Sequence, residues 1–265
     1  ISTGVENEYT VSFWFNLKSM EMYHQQYVLF GDEHSQNNGI LFQMHQEWGF
    51  GAYTAGDQFN ATYYSGFIPS LDVWNFYTVV QDESGIHFYL NGNYQYYLGE
   101  DLNSETSQPT LIGKHTGDSR FLNGEMNKIS TFNRALSEEE IQSYMTCTLN
   151  GSEEGLVGYW DFNEVSGDTV YDISGNGNPG IINGAEFSED VPESYNGCTD
   201  ENALNFDESA LCENGSCVYG DDILSNLETE NSNLEENLSV FETVEEEQDY
   251  SMSFDGVGDN INIGN

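Results

Sequence analysis

The stretch WNFYTVVQDESGIHFYLNGNYQYYL, Trp74 to Leu98, holds three runs of alternating apolar and polar residues separated by two short polar breaks. The first break is Asp82-Glu83-Ser84-Gly85 and the second is Asn91-Gly92. Asn-Gly is the strongest short hairpin signal, because both residues accept the positive φ that a two-residue turn demands. Three strands joined by tight turns form an antiparallel meander.

The same grammar extends in both directions. Glu8 to Leu17, EYTVSFWFNL, sets Tyr9, Val11, Phe13 and Phe15 against Thr10, Ser12, Trp14 and Asn16, the period of a strand with one face on a core. QYVLFG (26–31), GILFQMH (39–45) and WGFGAYTAG (48–56) repeat it, divided by Gly, Asn and Asp. Short strands at regular spacing predict an all-β fold of two antiparallel sheets. A chain of 265 residues is long enough to bury its core. One short helix is expected at ALSEEEIQSYM (135–145), with Ser137 as N-cap, Glu140 closing a capping box and Leu136 stapled to Ile141.

Charge narrows the function classes. Asp and Glu total 46 against five Lys and Arg, a formal charge of −41. Such a field repels nucleic acid and anionic bilayers, so neither nucleic-acid binding nor membrane insertion is expected, and a saline exterior that screens the carboxylates suits the chain. No apolar run approaches the roughly 20 residues that span a bilayer as a helix. The five His residues have no nucleophile motif beside them, and no Gly-rich phosphate loop is present.

Four cysteines, Cys147, Cys198, Cys212 and Cys217, read as disulfides formed in an oxidising compartment. Zinc is the competing reading, but no His lies near Cys212 and Cys217. Four cysteines allow three connectivities. Because Cys198 and Cys217 bracket a small polar segment, the expected pairing joins them and leaves Cys147 to reach Cys212. From Asp221 to Asp249 there are eleven acidic residues and no basic one, the composition of a solvated linker, although Leu227, Leu234, Leu238 and Phe241 would also make a helical stripe.

SMSFDGVGDNINIGN (251–265), EYTVSFWFNL, WNFYTVVQDESGIHFYLNG and above all LIGKHTGDSRFLNGEMNKISTFNRALSEEEIQ (111–142) resemble a laminin G-like domain of the concanavalin A-like lectin/glucanase superfamily. The resemblance implies a two-sheet jelly roll over residues 1–192, with 155–187 supplying outer strands. GCTDENALNFDESALCENGSC (197–217) resembles a short cysteine-containing module of secreted bacterial surface proteins. The expected organisation is therefore a sandwich (1–192), a disulfide-held module (193–220), an acidic linker (221–249) and a strand segment (250–265).

Calcium is the expected structural cofactor. In YDISGNGNPG the oxygens of Asp172, Asn176 and Asn178 alternate with glycines that let the backbone curl around a hard cation. The resemblance adds Asn127, from the strand after Gly124, at a place where related domains carry Asp. A second candidate set is Asp200, Asn202, Asn205 and Asp207. Glucanases of this superfamily carry several carboxylates along one strand; here Glu125 is present but Asn127, Ile129 and Ser130 stand where the others belong, so the chain is expected to be no enzyme. An aromatic platform for a sugar is a candidate at Trp48, Tyr53, Tyr63 and Tyr64.

The segment 251–265 reads as the strand pair that should precede EYTVSFWFNL. It can fold back into its own sandwich or fill that of the next unit; the favoured role is donation of Phe254, Ile261 and Ile263 to a neighbouring copy, head to tail, which yields an open filament. The leading expectation is thus a secreted structural repeat of an extracellular filament or cell-surface adhesin. The alternative is a carbohydrate-binding, lectin-like module with glycans as partners.

Overall fold

The computed structural model describes residues 8–19, 39–45, 47, 49–55, 61–64, 66–98, 110–114, 121–164, 166–220, 251–255 and 260–263. In chain order the strands are β1 (Tyr9–Leu17), β2 (Gly39–His45), β3 (Gly49–Ala55), β4 (Ala61–Tyr64), β5 (Trp74–Asp82), β6 (Gly85–Leu90), β7 (Asn93–Leu98), β8 (Thr110–Ile112) and β9 (Asn123–Phe132). After α1 (Glu138–Thr146) come β10 (Leu156–Trp160), β11 (Thr169–Val170), β12 (Gly180–Asn183), β13 (Glu186–Ser188), β14 (Asn196–Gly197), β15 (Cys212–Glu213), β16 (Ser251–Asp255) and β17 (Asn260–Ile263). The chain divides into two compact units: residues 1–142, 149–192 and 249–265 form the first, and 143–148 with 193–248 the second.

The first unit is a sandwich. Its main sheet runs β13-β16-β9-β1-β5-β6-β7, with β10 also paired to β9, and every pairing in it is antiparallel. Two smaller sheets, β2-β3-β4 and β11-β12-β17-β8, supply further strands. The odd residues of β1, Tyr9 to Leu17, enter one core with Tyr77, Val79, Phe88, Met126 and Trp160, while Phe50 of β3, Ile112 of β8 and Val170 of β11 meet them from the smaller sheets. The alternation in EYTVSFWFNL is therefore the alternation of core and outer face.

The predicted turn at Asn91-Gly92 is present, with φ of 48° and 73°. Asn91 Oδ1 also accepts the backbone N–H of Phe76 at 2.8 Å, so the turn is tied to β5. The helix begins where its cap predicts: Glu140 N donates to Ser137 Oγ at 3.3 Å and Ser137 N to Glu140 Oε2 at 2.9 Å. Arg134 adds a fork, Nη1 and Nη2 lying 2.9 and 2.6 Å from the two oxygens of Glu140. This cation and the Ser137 donors hold the Glu140 carboxyl below its ordinary range.

The segment expected to be donated is paired within its own chain instead. β16 lies between β13 and β9, with Met252 opposite Met126 and Phe254 opposite Gly124. β17 lies between β12 and β8, Ile261 pairing with Ile182 and Ile112, and Ile263 with Gly180 and Thr110. Met252 and Phe254 are core residues of this sandwich. Return is inexpensive on length alone: 29 residues, 221–249, could reach far more than a domain radius at a maximum of about 3.3 Å each, and closure entropy grows only logarithmically with loop length. Gly113 completes the slot, since with φ of 82° a Cβ there would stand 2.3 Å from the Phe254 ring.

In the second unit the disulfides are Cys147–Cys212 and Cys198–Cys217. They do what a core does elsewhere, since Cys198, Ala203 and Cys212 are the hydrophobic residues buried among those described in this unit. β14 and β15 form its small parallel pair, and Asn196 Oδ1 accepts from Thr148 N at 3.1 Å. Opening Cys147–Cys212 by a double Ser substitution releases a loop of 65 residues and is expected to cost about 4 kcal/mol of this unit's stability. Limited proteolysis should then cut within 193–219; unchanged protease resistance would refute the role. The stretch 221–249, with its proposed linker and leucine stripe, lies outside the described residues.

Candidate functional site

Glu125 has no second carboxylate on its own strand, and the fold brings it one from elsewhere. Glu125 lies opposite Asn16 across the β9–β1 pairing, on the face of the main sheet away from the core. Lys18 follows the end of β1, Trp74 opens β5, and Ser188 and Asp190 close and follow β13. The Lys18 ammonium stands 2.8 Å from Glu125 Oε2, 2.9 Å from Asp190 Oδ2 and 3.6 Å from Asp72 Oδ1. Asp190 Oδ1 accepts the Trp74 indole N–H at 2.9 Å, Glu125 Oε1 accepts the Ser188 hydroxyl at 2.8 Å, and Asn16 Nδ2 approaches Glu125 Oε2 at 3.3 Å.

The environments pull the two carboxyls apart. Glu125 is 5 % exposed, and burial drives its pKa up against the opposing hydrogen bonds from Lys18 and Ser188. Asp190 is also pushed up by burial, but donation from Trp74, Lys18 and Glu125 outweighs this and leaves it below its ordinary range. Lys18 loses some hydration, yet the two carboxylates raise its pKa well above the usual value. A retaining glycosidase needs two carboxyls about 5 Å apart with a sugar between them. Here both face one ammonium, with Asn16 Nδ2 within 3.3 Å of Glu125 and 3.4 Å of Asp190, so the arrangement acts as a clasp across β1, β5, β9 and β13.

A second constellation has the composition of a hydrolytic triad without its geometry. His87 Nε2 lies 3.0 Å from Ser84 Oγ and 3.1 Å from Asp82 Oδ2. A triad needs the serine on one ring nitrogen and the carboxylate on the other; here both meet the same atom. Ser84 Oγ also donates to Asp82 Oδ1 at 2.6 Å, which caps the β5–β6 turn.

The loop expected to hold calcium is closed by hydrogen bonds. Asp172 Oδ1 accepts from Tyr159 N, Ser174 N and Ser174 Oγ, and Oδ2 from Asn178 N and Nδ2. Asn176 and Asn178 turn their amide groups toward the Val157 carbonyl. An ionised carboxylate has about four lone-pair sites, so five donors use its acceptor capacity. Asn127 is held elsewhere, its Nδ2 3.4 Å from the Asp161 carbonyl. As arranged, this set does not fit a cation, and no step below depends on one.

The second proposed set does not converge either. Asp200 accepts from Asn202 and Tyr219, Asp207 from Ser209, while Asn205 bridges Ser216 and Val218. The Asn202 and Ser209 contacts close turns, while those of Tyr219, Ser216 and Val218 join the two ends of the small module, and the donors hold the Asp200 and Asp207 carboxyls below their ordinary range. Glu213 lies beside Cys198 and Cys217, but the disulfide consumes both thiolates that a metal would need. Of the proposed sugar-stacking residues, Tyr53 falls on β3 and Tyr63 and Tyr64 on β4, with side chains outside what is described. Trp48 lies outside the described residues.

Comparison with known proteins agrees with the sandwich. Residues 2–142 match the family described as concanavalin A-like lectin/glucanases superfamily, Laminin_G_3. No curated protein sequence matches the chain. Among solved structures, a Bacteroides ovatus protein assigned to carbohydrate binding is similar with a TM-score of 0.52 and 17 % identity, over 66 % of this chain and 51 % of that one. Domain 4 of an extracellular arabinanase from Geobacillus stearothermophilus, in complex with arabinotriose, gives 0.45 and 14 %, over 54 % and 68 %. A pentraxin from Limulus polyphemus gives 0.39 and 13 %, over 54 % and 71 %. The chain thus spans about half of the Bacteroides protein, and at these identities the likeness is one of fold. Over just more than half of its 265 residues the match is to one family, and the chain belongs to the concanavalin A-like lectin/glucanase superfamily as a laminin G-like domain.

Proposed function

We propose that this chain is a non-catalytic, glycan-binding module of an extracellular protein. The observation that carries the reading is the Lys18 clasp. The superfamily name covers both sugar binding and sugar hydrolysis, and here the Glu125–Asp190 pair is committed to an ammonium, an indole and a serine within the fold. With that chemistry engaged, binding is the capacity left to the sandwich. The assignment of the Bacteroides ovatus protein to carbohydrate binding agrees with it. Two disulfides suit an oxidising exterior, and no helix among the described residues is long and apolar enough to cross a membrane. The test is retention on insoluble cellulose, xylan, mannan and chitin, followed by release with the matching soluble oligosaccharide. Passage through all four supports without delay would overturn the reading.

A second reading keeps the structural repeat. The slot between β13 and β9, with Gly113 cut back to admit Phe254, recognises residues 251–255 by contacts that are the same whether the segment comes from its own chain or a copy. Exchange between copies would then link sandwiches head to tail into a filament or adhesin without any new interface. Light scattering across a hundredfold concentration range tests it: growing mass supports exchange, and a constant monomer mass rejects it.

A further inference from the structure

The outer edge of the main sheet carries an aromatic surface that the clasp does not explain. Among the described residues β7 is the last strand of its sheet, and its sequence NYQYYL has no charged residue or Pro to blunt an edge. Its register against β6 breaks: Tyr97 pairs with His87 and Tyr96 with Phe88, but the next partner of Tyr89 is Tyr94, leaving Gln95 as an extra residue. Without that bulge Tyr94 would share the parity of Tyr96 and face the core side. With it, Tyr94 and Tyr97 both emerge on the outer face, around His87 and Tyr89. Bulges at sheet edges commonly re-aim a side chain in this way.

The rings form one patch. His87 lies 5.0 Å from Tyr97 and 6.2 Å from Tyr94, and Tyr94 meets Tyr89 edge-on at 5.5 Å. Tyr94 is 46 % and Tyr97 40 % exposed, on a strand paired to β6. Tyr97 is fixed by a hydrogen bond from its hydroxyl to the Ser84 carbonyl. A carboxylate borders the rings, with Asp82 Oδ2 3.1 Å from His87 Nε2.

We infer that the Tyr89–Tyr94–Tyr97 surface is a binding site for a neutral glycan, an inference that rests on the glycan-binding reading above and gives it a place. Sugar rings present C–H faces that stack on exposed aromatic rings, and hydroxyls that donate to carboxylates at the rim. A formal charge of −41 disfavours uronic or sialic acids at the same surface.

The experiment titrates the full chain with β-1,4-linked hexamers of glucose, xylose, mannose and N-acetylglucosamine, and with hexagalacturonate as the acidic counterpart. At least one neutral hexamer should bind and the acidic one should not. Tyr94→Ala and Tyr97→Ala should each weaken binding roughly three- to tenfold, whereas Tyr171→Ala, which removes another exposed ring of the sandwich, should leave it unchanged. Should a variant lose its fold, mass spectrometry of wild-type tyrosine nitration with and without the hexamer reads the same contact, and protection of Tyr94 and Tyr97 is expected. Glycan binding that is indifferent to both substitutions, or that leaves both rings unprotected, overturns this site while the functional reading stands. No neutral hexamer bound, or a preference for hexagalacturonate, overturns both. Self-association lost in Tyr94→Ala, without glycan binding, would make the edge a protein-docking strand and also overturn the proposal.

Discussion

Phe254→Ala is expected to lower the unfolding free energy by roughly 3–5 kcal/mol, the cost of deleting a fully buried phenyl ring and leaving a cavity. The ring is 1 % exposed and belongs to the sandwich core, although it arrives from a segment separated from the rest of the sandwich by the second unit. Gly113→Ala should destabilise in the same direction, because the new methyl would fall 2.3 Å from that ring at a φ of 82°. Urea midpoints with unchanged slopes are the readout. A loss below about 1 kcal/mol for Phe254→Ala would mean that the segment does not hold its place in the sheet.

Lys18→Met is expected to cost roughly 3 kcal/mol near neutral pH, the low end of the penalty for stranding a buried charge, because the Lys side chain is itself 33 % exposed. The pH dependence has a definite sign. Glu125 already has a raised folded-state pKa, so its ionisation opposes folding as pH climbs from its unfolded value through its folded one. Without Lys18 that folded value rises further, and the penalty extends to higher pH. Asp190, with a depressed pKa, contributes stability above its unfolded value that is lost as pH falls; removing the cation weakens this contribution, though Trp74 keeps part of it. Variant and wild type should therefore converge toward pH 3 to 4 and diverge toward pH 7. Parallel stability curves over that range would show that Lys18 is not the partner of these carboxylates.

What could be read from the sequence was what local chemistry dictates. Asn91-Gly92, the Ser137–Glu140 box and the alternation of Tyr9 to Phe15 each act within a few residues, and each is found where those residues put it. The clasp could not be read this way. Lys18 and Asp190 lie 172 residues apart, and neither sits in a pattern that announces the other. Glu125 is legible, but a strand pattern can flag only partners on the same strand, whereas the sheet supplies Asp190 from beyond β13. The Tyr94–Tyr97 pair was hidden for a different reason: a strict period of two places those residues on opposite faces, and only the bulge at Gln95 unites them. For Asp172, alternation with Gly predicts a curled loop but not whether its oxygens face an ion or the loop's own N–H groups, and five such donors claim them.

Binding without hydrolysis is tested most directly by product analysis of a glycan that the protein retains. The full chain, held for a day with the hexasaccharide it binds best, should return that hexasaccharide at its original mass, with no shorter oligomers by mass spectrometry, because Glu125 and Asp190 are both engaged by Lys18. Accumulation of shorter oligomers, abolished by Glu125→Gln, would make this pair a catalytic one and contradict the account.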